Sequence, residues 1–158
     1  LKDLIFKSMS RPNGGLSDLS PLEGLNLEYL SCGPSQVSDL SPLHGMDMRV
    51  LYMSETKVSD LSPLRGLPLT NLQCNVTPVS DLSPLKGMPL RTLGCNSTAV
   101  SDLSPLFDCK DLKSLNVRNT KVTPAAVAAL QKALPNCQIE WDDPAKAKMT
   151  QPAAAGTK

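Results

Sequence analysis

Five aspartates are the residues here whose type and spacing most suggest chemistry. Asp18, Asp39, Asp60, Asp81 and Asp102 recur at 21-residue intervals, and each is followed two positions later by a Ser-Pro pair. Such a column of carboxylates could gather hard cations. Calcium, however, takes about six to eight oxygen ligands, and the Leu-Ser-Pro that follows each aspartate supplies few. The spacing favours another role, in which each carboxylate caps backbone N–H groups at the next turn, as in an Asx-turn. No metal or cofactor is expected.

The remaining candidates for catalysis are sparse. His44 is the single histidine and shares its position in the repeat with Glu23, Arg65, Lys86 and Phe107, which marks an exposed surface. A Ser-His-Asp or Cys-His nucleophile would have to use it, and no partner is placed beside it. Paired histidines and Cys-x-x-Cys spacing, which would suggest zinc, are missing from the sequence. Cys32, Cys74, Cys95, Cys109 and Cys137 make an odd set. The first four fall where other units carry Leu, Met or Val, so they read as small buried hydrophobes rather than a disulfide framework. A bridge between Cys74 and Cys95, neighbours on adjacent strands, is the one conceivable exception. Reduced thiols favour a cytoplasmic setting. The chain is expected to be non-catalytic.

These residues are carried by a strict repeat. Ser-Asp-Leu-Ser-Pro-Leu begins at Ser17, Ser38, Ser59, Ser80 and Ser101, a constant period of 21 residues. The apolar positions form seven rows. One holds Leu30, Leu51, Leu72, Leu93 and Leu115, and the next Cys32, Met53, Cys74, Cys95 and Val117. Others run through Leu27, Val37, Leu40, Leu43 and Leu25 with their equivalents. Leu72 and Cys74 lie two apart and share one side of a short strand. The Ser-Pro-Leu-x-Gly return allows about one tight helical turn, with Ser62 as N-cap before Pro63. One such unit cannot bury enough to fold alone, so units must stack and pair their strands.

The pattern L-x-x-L-x-L-x-x-(N/C/T)-x-L resembles that of leucine-rich repeats over residues 1 to about 141. The Asp-Leu-Ser-Pro-Leu and Thr-x-Val signatures are similar to the bacterial internalin type. The near-identical units and the closing Leu134-Pro-Asn-Cys-Gln-Ile-Glu-Trp-Asp-Asp143 resemble repeat regions of planctomycete proteins, some of which follow a serine/threonine kinase domain. The resemblance implies an α/β solenoid: a right-handed superhelix with one parallel β-sheet, short 3₁₀ turns on the convex side and a C-terminal capping helix.

Four segments follow. Residues 1–15 read as a truncated, irregular N-terminal repeat, with Leu1-Lys-Asp-Leu4-Ile-Phe6 aligned on Leu22-Glu-Gly-Leu25-Asn-Leu27 and Arg11 in place of an apolar third-row residue. Residues 16–122 are repeats, the last spacing being 22. Residues 123–142 form a cap: Thr123 and Pro124 open a helix with a stripe at Val127, Leu130, Ala133 and Leu134, then Cys137, Ile139 and Trp141 alternate as a final strand. Residues 143–158 read as a disordered tail. The abrupt start suggests a piece of a longer bacterial protein, whose uncovered N-terminal edge at Leu4, Phe6 and Met9 would support a dimer.

A net charge of +1 does not favour nucleic acid, and no apolar run approaches a transmembrane length. The expected function is protein or peptide binding on the concave sheet face, where Tyr29, Arg49, Val50, Tyr52, Asn71, Gln73, Arg91, Asn116 and Arg118 are the candidate residues. Tyr and Arg are common interface anchors. A structural spacer or stalk and the regulatory arm of a serine/threonine kinase are the alternatives. The row Ser35, Thr56, Thr77, Thr98 and Thr120 is expected to bond loop backbone between units.

Overall fold

A computed structural model of the chain describes the backbone of residues 3–5 and the whole of residues 15–143. Seven strands form one sheet in strict sequence order: β1 (Asp3–Ile5), β2 (Tyr29–Ser31), β3 (Val50–Tyr52), β4 (Asn71–Gln73), β5 (Thr92–Gly94), β6 (Ser114–Asn116) and β7 (Gln138–Glu140). Every pairing is parallel. Each strand is only three residues long, so the ladder relies on continuation beyond it. Cys32, Met53, Cys74, Cys95 and Val117 each donate their N–H to the next unit at 2.8–2.9 Å, and the Glu55, Val76 and Ser97 N–H groups repeat the step. Lys57, Ala99 and Lys121 donate back to the preceding unit's Val37, Val79 and Val100 carbonyls.

The central residue of each strand from β2 to β6 points into the core and its two neighbours are half-exposed, the one exception being the buried Gly94. The expected rows are buried almost throughout, as a single continuous cluster. Leu25 departs from its row and is 40% exposed, while its equivalents Met46, Leu67, Met88 and Cys109 are buried. It belongs to the first of the five described returns, so no described return packs on its outer side. Val122 is half-buried, at the end of the Val row.

Opposite the sheet, Ser-Pro-Leu forms a single 3₁₀ turn in each unit. The serine does not act as its N-cap. The preceding leucine holds that position and makes no side-chain capping bond. The aspartate two residues before the serine does the work: Asp60 Oδ1 accepts the Ser62 N–H and Oδ2 accepts the Ser62 hydroxyl, both at 2.7 Å. The same pair of bonds recurs at Asp18, Asp39, Asp81 and Asp102. The serine hydroxyl is thereby spent as a donor.

Each 3₁₀ turn runs into a second turn. At Leu64–Leu67, Arg65 has φ −55° and ψ 126°, Gly66 has φ +78°, and the Leu67 N–H meets the Leu64 carbonyl at 3.1 Å. These are type II values, whose third position requires positive φ and therefore glycine. In the last return Asp108 stands where the glycine would be. The 3₁₀ segment lengthens to Ser104–Asp108, and Cys109, at φ −82° and ψ 70°, makes an inverse γ-turn closed by Lys110 N–H on the Asp108 carbonyl. The twenty-second residue of this spacing is taken up there.

The C-terminal cap matches its sequence. Helix α1 (Pro124–Ala133) starts on Thr123, whose hydroxyl accepts the Ala126 N–H at 3.2 Å. Val127, Leu130 and Leu134 are buried, with Ala133, Ile139 and Trp141 packed against them. At its far end Gln131 Nε2 donates to the carbonyls of Leu134, Pro135 and Cys137 at 3.0–3.2 Å. One side chain thus ties the helix end to the strand that follows.

Two further expectations are corrected. Leu4 pairs with Leu30, not with the row of Leu25. The interval is 26 residues, five more than the period, and Asp3-Leu4-Ile5 corresponds to Tyr29-Leu30-Ser31. An ungapped alignment on the repeat misplaces these residues by five; Arg11 lies outside the described residues. The threonine row bonds within its own unit: Thr56, Thr77, Thr98 and Thr120 donate to the carbonyl three residues earlier at 2.6–2.9 Å. The between-unit bonds at this level are made by backbone N–H groups instead. Residues 6–14 and 144–158 lie outside the described residues. So do the side chains of Leu4, Phe6 and Met9 invoked for a dimer, and the tail.

Candidate binding face

The sheet face opposite the core is built from the first and third residue of each strand, flanked by the residue before the strand and the second residue after it. It changes character along the array. At the N-terminal side, Tyr29 and Val50 are register partners and Tyr52 lies on the same strand as Val50. The two tyrosine rings meet edge to face, with centroids 5.5 Å apart and planes at 76°, a favoured aromatic arrangement. All three side chains are half-buried, so the patch is held in place yet open to solvent.

Amides occupy the middle. Asn71 Nδ2 donates to the Tyr52 hydroxyl and Gln73 Nε2 donates to Asn71 Oδ1, both at 3.4 Å. Asn75 Nδ2 bridges Gln73 Oε1 at 3.0 Å and Ser54 Oγ at 3.3 Å, and Asn75 Oδ1 accepts the Asn96 N–H at 3.1 Å. This chain runs from the tyrosine patch across three units and leaves Tyr52 and Gln73 in set orientations. Asn116 is separate from it. Its amide contacts Glu140 Oε2 at 3.3 Å, and its Oδ1 accepts the Arg118 N–H at 3.1 Å. Arg118 Nε and Glu140 Oε2 are 3.8 Å apart and both well exposed, a pair worth little in stability.

Arg49 and Arg91 stand one residue before strands β3 and β5. Their carbonyls are fixed by the next unit: Thr70 and Asn71 N–H groups on Arg49, Lys113 and Ser114 N–H groups on Arg91, at 2.8–3.1 Å. Their side chains are exposed. The nine expected residues therefore fall into a tyrosine–amide group (Tyr29, Val50, Tyr52, Asn71, Gln73), an Asn116–Arg118 group closed by Glu140, and two exposed arginines at the edge. The sequence reading passed over Asn75, Asn96, Ser54 and Glu140. A signal for the first three was present, since Ser54, Asn75 and Asn96 form a polar row two residues past the strands.

The other candidate chemistry is accounted for locally. Hydrogen bonds from the backbone N–H and then the hydroxyl of the following serine hold the carboxyls of Asp18, Asp39, Asp60 and Asp81 below their ordinary values. Among the described residues no group of three or more His, Cys, Asp and Glu side chains is placed to hold a metal ion. All five cysteines are buried and none is bridged. Burial pushes the Cys32 thiol up to about 11 and that of Cys95 to about 12, so both are neutral and unreactive. His44 is exposed on the convex side. No helix among the described residues is long and apolar enough to cross a membrane.

A parallel sheet of three-residue strands, each answered by one 3₁₀ turn at a 21-residue period and closed by a helix and a last strand, is a leucine-rich repeat solenoid of internalin-like architecture. Among solved structures, internalin C2 of Listeria monocytogenes superposes with a TM-score of 0.69 at 24% identity, covering 81% of this chain and 67% of its own. A leucine-rich repeat protein of Leptospira interrogans superposes with a TM-score of 0.72 at 20% identity, covering 89% of this chain and 37% of its own. No family model matches the sequence, and no curated protein matches it. The likeness is one of fold.

Proposed function

We propose that this chain is a non-catalytic protein-interaction module that binds a protein or peptide through the sheet face centred on Tyr29, Val50 and Tyr52. The observation that carries this reading is the tyrosine pair. Two large aromatic rings pack edge to face on the side away from the core, and Tyr52 is further held by Asn71. Rigid aromatic groups with a polar tip are effective interface anchors because little side-chain freedom is lost on binding.

Random peptides displayed on phage and selected on the whole chain test it. The selected peptides should bind the Tyr29→Ala/Tyr52→Ala variant at least about tenfold more weakly, while its melting temperature stays near that of the parent. Undiminished binding to the double variant would rule the reading out. The uniformity of the returns favours a second reading, that of a spacer within a larger protein. It predicts that no peptide is enriched over selection on a denatured chain. A kinase-linked regulatory arm rests on sequence resemblance alone.

A further inference from the structure

The face described above has a second pole. Arg91 and Lys113 immediately precede Thr92 and Ser114, which are register partners on β5 and β6. Two cations therefore sit side by side on neighbouring strands, about 4.8 Å apart at the backbone. Like charges placed directly opposite repel and are destabilising. Both side chains are exposed, and neither forms an ion pair with a described residue; Asp111, two residues before Lys113, does not come within ion-pair distance of either. Arg49, the other cation on this edge, is set apart from them by the uncharged Thr70 and has Asp47 and Glu28 as neighbours in the pattern. The positive charge is thus concentrated at one end, and the aromatic groups at the other.

We infer that the partner is an extended acidic peptide segment, with an apolar side chain on the Tyr29–Val50–Tyr52 patch and an Asp or Glu carboxylate on Arg91 and Lys113. This rests on the proposed use of the same face. The two poles fix a spacing. From β3 to β5 is two strand steps, and from β3 to β6 three, or roughly 10–14 Å at about 4.8 Å per step. An extended peptide advances about 3.3 Å per residue, so the carboxylate lies about three to four residues from the apolar side chain. The amides of Asn71 and Gln73 lie between the poles, where they can meet the peptide backbone. A ligand so arranged would turn the repulsion between Arg91 and Lys113 into attraction, with a salt-dependent association rate.

The phage-selected peptides decide this. They should share a large apolar residue with Asp or Glu about three to four positions away. They should lose about tenfold or more in affinity on Arg91→Glu/Lys113→Glu, by fluorescence anisotropy of the labelled peptides. Replacing their acidic residues with Lys should restore binding to that charge-reversed variant. Selected peptides with no acidic residue at that interval, or with affinity unchanged by the charge reversal, overturn the inference. If such peptides still depend on Tyr29 and Tyr52, the sheet-face reading survives without it. If they depend on neither pair, both fall.

Discussion

The side chain of Gln73 occupies the space that a side chain at Gly94 would need. A Cβ built on Gly94 would lie 2.0 Å from Gln73 Oε1 and 2.8 Å from Asn75 Oδ1. Both atoms belong to movable side-chain ends, and the network through Asn71 and Asn75 keeps them there.

Gly94→Ala should therefore displace the Gln73 amide and cost about 1 kcal/mol, the worth of the hydrogen bonds disturbed. In a Gln73→Ala background the same substitution should cost less, because only Asn75 Oδ1, at 2.8 Å, still has to move. Gly33 provides the contrast, because a Cβ there would meet the Ser54 carbonyl oxygen, a backbone atom, at 2.0 Å. Gly33→Ala should cost about 3 kcal/mol or more, since the strand ladder itself must shift. Urea unfolding midpoints of the variants measure both. Equal losses at the two sites would refute the distinction.

Val76 is a β-branched residue at φ +55°, 51% exposed, in a row where Glu55, Ser97 and Asn119 share the left-handed conformation. That conformation is costly for valine and easily adopted by asparagine. Val76→Asn should raise stability by about 1 kcal/mol, read as a higher melting temperature. A lower one would mean that the exposed methyl groups make contacts that outweigh the backbone strain.

Acid sensitivity should come from the aspartate row. The folded carboxyls of Asp18, Asp39, Asp60 and Asp81 are held below their ordinary value by the following serine. A depressed folded value adds stability above the unfolded carboxyl pKa of about 3.9, and that stability is lost as pH falls through the folded values. Unfolding free energy measured against pH should be flat near neutrality and fall below about pH 4. Replacing these four aspartates with asparagine should flatten the acid limb. An unchanged slope would place the acid sensitivity elsewhere.

Gln131 should matter more than a half-exposed glutamine ordinarily does. Its amide serves three carbonyls at the end of α1. Gln131→Leu leaves them without that donor and should cost about 1–2 kcal/mol. Hydrogen exchange of the 134–140 amides should quicken before that of the central units. Uniform quickening across the array would contradict a role confined to the cap.

Much of the solenoid was legible because burial follows the period. Leu72 and its equivalents must face inward in every unit, and Thr123-Pro124 announces a helix start by itself. What was misread depends on which of two acceptors a donor reaches. The capping of backbone N–H groups by the aspartate row was legible, but Ser62 also suits the N-cap, and the sequence does not say that the carboxylate takes the serine's hydroxyl as well as its N–H. The threonine row faced the same choice between carbonyls of its own unit and the next. The register of Leu4 was lost to an insertion that periodicity hides. On the binding face the tyrosines stood out by type. Ser54, Asn75 and Asn96 recur at the period, but the bonds that join them through Gln73 to Tyr52 appear only once side chains have positions.

The glycine-to-aspartate exchange at position 108 sets a boundary of another kind. Up to that point the returns are interchangeable in geometry, each ending in the same type II turn. A duplicated 21-residue stretch inserted among residues 38–100 would meet the same neighbours as its template and lengthen the array by about 4.8 Å. Beyond Asp108 the backbone follows a different path into the cap. Growth or shrinkage by unequal copying of the gene is thus tolerated upstream of this residue, and the closing segment is carried along unchanged. A copy inserted between Tyr52 and Arg91 would also lengthen the distance between the tyrosine patch and the Arg91–Lys113 pair.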